Sequence, residues 1–99
     1  MNIPIRKKWG QNFLIDPNII RKIISVLAPE KNQHILEIGP GKGALTQPLS
    51  KICYKISAIE IDPMLCDYLE TKQLKNVTIY NEDILKFNTE GMSKNYAII

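Results

Sequence analysis

Glycine recurs at alternate positions in "EIGPGKGALT", Glu37 to Thr46, directly behind the apolar run "HILEI". Bare backbone at Gly39, Gly41 and Gly43 lets peptide N–H groups approach a ligand closely. A helix opening just behind them adds a dipole that favours electron-rich groups. Acids surround this loop. Glu37 precedes it within the apolar run. Glu60 ends the next apolar run, at the roughly 20-residue separation from Gly39 at which a carboxylate can accept from both hydroxyls of a ribose. Asp83 follows the third apolar run. An N–H cradle with carboxylates at neighbouring strand ends is suited to an adenosine-bearing cofactor.

The glycine pattern alone leaves two cofactor classes open. Gly39, Gly41 and Ala44 satisfy the dinucleotide fingerprint GxGxxG/A, while Gly39, Gly41 and Gly43 satisfy the GxGxG of S-adenosylmethionine (SAM) methyltransferases. Glu60 serves either class. Glu37 and Asp83 favour the second. An acid before the first glycine can face the cationic methionine end of SAM, and an acid leaving the third strand can accept from the adenine amino group. The bland reading of each acid is a solvated charge at a strand end.

These residues need elements to position them. Asp16-Pro17 reads as a helix start, an N-cap acceptor followed by proline at the first helical position. Ile19, Ile20, Ile23, Ile24 and Leu27 then form one apolar stripe, and Pro29 ends the helix. His34 to Ile38 reads as a buried strand. A second helix is expected from near Gly43 to about Ile52, with Pro48 tolerable only early in it. "KISAIEI", Lys55 to Ile61, is a second strand. Asp62-Pro63 repeats the cap signature ahead of a helix carrying Met64, Leu65, Tyr68 and Leu69. "NVTIY", Asn76 to Tyr80, is a third strand, "NEDILKF" a loop, and "YAII" the opening of a fourth strand. Alternating strands and helices with short connections argue for an α/β fold with a parallel sheet.

Bulk composition narrows the class further. The 99 residues make one small domain or part of a larger one, and 44% hydrophobic with 23% charged residues is ordinary for a soluble globular chain. No apolar run approaches the roughly 18 residues of a membrane span. The basic N-terminus leads into Trp-Gly-Gln-Asn and not into a signal-peptide core, so cytoplasmic residence is expected and no membrane partner. Cys53 and Cys66 lack ligand spacing and read as free thiols, and His34 as a structural residue; no metal site is expected. Arg6, Lys7 and Lys8 supply as much positive charge as the whole net charge of +3. That cluster is either a solvated terminus or a phosphate-contacting arm.

Taken together, "KKWGQNFLID", "EIGPGKGALT", "IEID" and "NEDIL" resemble, in order and spacing, the ribosomal RNA adenine dimethyltransferases, with the bacterial small-subunit enzymes most similar and the macrolide-resistance rRNA methyltransferases near relatives. The resemblance implies a Rossmann-like SAM-dependent methyltransferase fold with strand order 3-2-1-4, and N6,N6-dimethylation of two adjacent adenines near the 3′ end of small-subunit rRNA. It places Gln11, Asn12 and Leu14 over the cofactor, Gly39 in its loop, Glu60 on the ribose and Asp83 on the adenine amino group, and Gly41 and Glu37 join the cofactor-binding set from the loop pattern above. Ile61 and Ile84 would sandwich the adenine ring, and Arg6, Lys7 and Lys8 would lie toward the RNA.

The resemblance also carries a departure. The family's acceptor motif, Asn-Leu-Pro-Tyr or a close variant, follows the fourth strand and does not fall within these 99 residues. The expectation is therefore a truncated fold, with the first three to four strands and their flanking helices. Residues 1–15 would be a basic segment over the cofactor site, and residues 16–99 the N-terminal half of the SAM-binding domain. The catalytic half and the C-terminal helical domain would be absent. Such a chain is expected to be inactive alone and to self-associate through an exposed edge strand at residues 96–99. The competing readings are a non-catalytic RNA-binding or transcription-factor relative and an NAD-binding oxidoreductase domain.

Overall fold

A computed structural model describes residues 16–90 and 96–99. Helix α1 spans Pro17–Leu27. Asp16 sits in extended conformation before it, and its carboxylate accepts from the Asn18 N–H at 2.9 Å. Proline at the next position has no N–H to leave unpaired. The helix stops when Ala28 turns left-handed (φ 44) and donates its N–H to the Ile24 carbonyl. It therefore ends just ahead of Pro29, whose ring disfavours helical conformation in the preceding residue.

Strands β1 (His34–Ile38), β2 (Lys55–Ile59), β3 (Val77–Tyr80) and β4 (Tyr96–Ile98) form one sheet, all parallel, in the order β3-β2-β1-β4. The expected order 3-2-1-4 is thus observed. Helices α2 (Thr46–Ser50) and α3 (Pro63–Glu70) follow β1 and β2. Asp62 caps α3 as Asp16 caps α1, accepting from the Met64 N–H at 2.9 Å.

Register decides where the core lies. Ile35 pairs with Ile56, Glu37 with Ala58, and β2 places Ile56 beside Val77 and Ala58 beside Ile79. Paired residues share a face of the pleat. That face carries the core of Ile35, Leu49, Cys53, Ile56 and Ala58, joined by Ile24, Leu45, Val77, Ile79 and Ile99. Helix α2 contributes Leu49, α1 reaches it through Ile24, and α3 lies beside β3 with Cys66 and Leu69 buried. The opposite face carries His34, Leu36, Ser57, Ile59, Thr78 and Tyr80, of which Leu36, Ser57 and Ile59 are fully buried. There His34 Nε2 and Ser57 Oγ are 2.8 Å apart across β1 and β2, and Phe87 meets Tyr80 edge-on at 5.0 Å.

Several boundaries differ from the sequence-based expectation. The second helix covers Thr46–Ser50 and not Gly43 to Ile52. Helical hydrogen bonding does begin at Gly43, whose carbonyl accepts from Gln47. But Gly43 itself is left-handed (φ 85), and past Ser50 the bonds tighten to the i−3 kind, Lys51 N–H to the Pro48 carbonyl and Ile52 N–H to that of Leu49. Strand β2 ends at Ile59, before Glu60 and Ile61, because the chain must turn into the Asp62-Pro63 cap. "NEDILKF" is more ordered than a loop. Ile84–Lys86 makes a 3-10 turn whose cap is Asp83, accepting from the Leu85 N–H at 2.9 Å.

Candidate cofactor site

The C-terminal ends of β1, β2 and β3 converge on the glycine loop. Gly39 donates its N–H to the Ile59 carbonyl at 2.9 Å, so loop and second strand end are joined directly. Gly39 and Gly41 both adopt the left-handed region (φ 65 and 60). A Cβ at either would meet nothing within 4 Å. Gly43 is different: a Cβ there would stand 2.9 Å from Leu69 Cδ2. The first two glycines therefore keep an open surface, and the third lets the loop pack against α3.

Glu60 organises this surface. It is 6% exposed, and both carboxylate oxygens accept backbone N–H groups, Oε1 from Gly41 at 3.2 Å and Oε2 from Asp62 at 3.0 Å. Its own N–H donates to the Tyr80 carbonyl, which sets it against the end of β3. A carboxylate has about four acceptor positions, so two remain for a ligand hydroxyl pair. Gly39 and Glu60 thus lie on adjacent parallel strand ends, as an adenosine cradle requires.

Glu37 lies beneath the loop, 4% exposed on the core-facing side of β1. Thr46 Oγ1 donates to its Oε1 at 2.6 Å. Burial pushes the Glu37 carboxyl above the usual carboxylate range, and the Thr46 hydroxyl pulls in the opposite direction. A buried acid held by one hydroxyl behind a glycine loop can balance a cationic group brought to that loop.

Apolar surface frames the polar groups. Ile38 and Ile61 leave the ends of β1 and β2 and stay 42% and 67% exposed. Ile84 and Asp83 are half-buried just beyond β3. Asp83 is part of the 3-10 cap through Oδ1 rather than wholly free, an occupancy the sequence did not suggest. Of the sequence-based candidates, Gly41 and Glu60 are joined by a direct hydrogen bond, and Gly39 is bonded to Ile59, the residue before Glu60. Arg6, Lys7, Lys8, Gln11, Asn12 and Leu14 lie outside the described residues.

Two residues of the site were not singled out from the sequence. Thr46 stands at the end of the glycine stretch and becomes a partner of Glu37 only once the loop folds back. Asn81 follows β3 and donates Nδ2 to the carbonyls of both Glu60 and Ile61, each at 3.0 Å. Nothing but its place near Asp83 could have marked it.

Four parallel strands in this order, a glycine loop after the first and a buried acid after the second define the Rossmann-like SAM-dependent methyltransferase fold. A structure of the 23S rRNA methyltransferase ErmE shares it with a TM-score of 0.70 and 33% identity, over 78% of this chain and 32% of that one. Residues 2–99 match the family described as ribosomal RNA adenine dimethylase, and the chain belongs to that family. It is 53% identical over 99 residues to the ribosomal RNA small subunit methyltransferase A of Wigglesworthia glossinidia brevipalpis, covering 98% of this chain and 38% of the relative. It is 44% identical over 88 residues to the protein of the same name from Coxiella burnetii, covering 87% of this chain and 34% of the relative. The chain thus spans little more than a third of the length of these relatives. Among the described residues no helix is long and apolar enough to cross a membrane.

Proposed function

We propose that this chain provides the S-adenosyl-L-methionine-binding part of an rRNA adenine N6,N6-dimethyltransferase that modifies two adjacent adenines near the 3′ end of small-subunit rRNA. The observation that carries it is the buried Glu60 carboxylate bonded to the Gly41 N–H at 3.2 Å, beside two left-handed glycines whose outer surface is open. Glu60 takes the ribose, and Ile61 and Ile84 take the faces of the adenine. Asp83 offers its second carboxylate oxygen to the adenine amino group. Glu37, behind the loop, balances the charge of the methionine end. Gln11, Asn12 and Leu14 close over the site, and Arg6, Lys7 and Lys8 contact RNA phosphates.

Bound SAM supplies a methyl group already activated by its sulfonium. The residues of this chain hold and orient that donor, and orientation is the larger part of such a transfer. The acceptor adenine must be taken out of its stack into a pocket, and the motif that the family uses for this lies outside these 99 residues. The 99-residue chain is therefore expected to bind cofactor weakly and to transfer no methyl group by itself. Its β4 edge, where Ile98 is exposed, is proposed to pair with a second copy.

Calorimetric titration with S-adenosylhomocysteine tests the cofactor assignment. Saturable heat with S-adenosylhomocysteine and none with NAD supports it. The reverse preference, or no heat with S-adenosylhomocysteine at millimolar concentration, overturns it. A radiolabelled-methyl assay on under-methylated small subunits tests the rest, and turnover by the pure 99-residue chain would contradict the division of labour proposed here.

A further inference from the structure

We propose that Asn81 is a positioning residue for the adenosine end of the site, holding Glu60 and Ile61 in register with the glycine loop. Its side-chain amide is the one group on the β3 side whose hydrogen bonds reach two consecutive residues of the β2 exit among the described hydrogen bonds. Nδ2 donates to the Glu60 carbonyl at 3.0 Å and to the Ile61 carbonyl at 3.0 Å. Both partners are acceptors, so only the NH2 end of the amide can stand there and its orientation is settled by chemistry.

The place of these bonds matters. Strand β2 ends at Ile59, so Glu60 and Ile61 have left the ladder that fixes the residues before them. The Glu60 N–H bond to the Tyr80 carbonyl and the Cys66 thiol, donating to the Glu60 carbonyl at 3.4 Å, hold residue 60 in part, and the Asp62 N–H reaches Glu60 Oε2 at 3.0 Å. Asn81 adds a second donor at the Glu60 carbonyl and, among the described hydrogen bonds, gives the Ile61 carbonyl its partner. A fixed backbone at 60 aims the carboxylate at the Gly41 and Asp62 N–H groups. A fixed backbone at 61 keeps an exposed isoleucine side chain beside the acid. Asn81 is itself exposed, so it contributes little to the core and its effect falls on the geometry of its neighbours.

The adenosine assignment of these neighbours is the reading proposed above, and the inference rests on it only for its ligand arm. The test compares the 99-residue chain with Asn81→Asp, Asn81→Ala and Asn81→Gln. Asn81→Asp is isosteric and sets a carboxylate against two carbonyls; Asn81→Ala removes both donors without adding repulsion. Amide hydrogen exchange by NMR is read first. Both Asp and Ala variants are expected to exchange the Gly41 and Asp62 amides roughly three- to tenfold faster, the loss expected for about one net hydrogen bond, with α1 and β1 amides unchanged. Asn81→Gln, which keeps the donor, is expected to recover part of the protection. Affinity for 5′-methylthioadenosine is then expected to fall by a similar factor well below the melting temperature.

Unchanged exchange at Gly41 and Asp62 in both variants would overturn the inference, as would an equal increase across the whole sheet, which is what a merely structural loss produces. Faster exchange at those two amides with no 5′-methylthioadenosine binding by any form would leave Asn81 as the positioner of Glu60 and overturn the adenosine reading instead.

Discussion

Glu37 and Thr46 show at the scale of single residues what the site asks of its chemistry. The folded carboxyl of Glu37 titrates above its unfolded value because burial disfavours the charged form. Stability is therefore undiminished by it below the ordinary carboxylate range and is lost as pH rises through the raised folded value. Glu37→Gln is expected to raise the thermal midpoint near neutral pH, with the gain shrinking as the pH falls through the raised folded value and gone below the ordinary carboxylate range. The same substitution should weaken S-adenosylhomocysteine binding, so melting curves and calorimetry move in opposite directions. Thr46→Val removes the donor at 2.6 Å from Glu37 and should cost about 1–3 kcal/mol in urea denaturation. Glu37 and Glu60 could be picked out as acids at strand ends, because strand ends can be recognised locally. Thr46 and Asn81 could not be picked out the same way. Their partners are fixed by how the loop folds back and how β2 and β3 align, and neither is written in local spacing.

At the scale of elements, the glycines divide into two kinds that the motif does not distinguish. Gly43→Ala drives a Cβ into Leu69 at a left-handed backbone and should destabilise by on the order of 3 kcal/mol. Gly41→Ala meets open space and should cost only about 1–2 kcal/mol for its left-handed backbone. It should nonetheless weaken cofactor binding at least tenfold, since its methyl enters the cradle. Denaturation and binding measured on both variants separate packing from recognition. The two Asp-Pro helix starts were readable because a cap and a proline act within a single turn. The length of α2 was not. The span expected from Gly43 to Ile52 is nearly three turns, but the left-handed Gly43 at one end and i−3 bonding at Lys51 and Ile52 at the other hold it to little more than one.

For the whole molecule, α1 and α2 reach the same core face of the sheet through Ile24 and Leu49, and β4 forms one edge of the sheet among the described residues. A parallel sheet is ordinarily covered on both faces, and a short apolar edge invites another strand. Sedimentation at micromolar concentration should show dimers or larger species, and Ile98→Lys should shift them toward monomer. A monomer before substitution would remove the edge from consideration. The strand order was legible because alternating elements with right-handed crossovers leave few arrangements, and the resemblance then selected one. Glu60 already grips the loop and the start of α3 from inside the fold, through Gly41 and Asp62. An arriving nucleoside therefore meets a receptor whose ordering entropy was lost when the chain folded, not when the ligand docks. The docking step should then scale with ligand concentration and carry no slow phase of a glycine loop that must first be built.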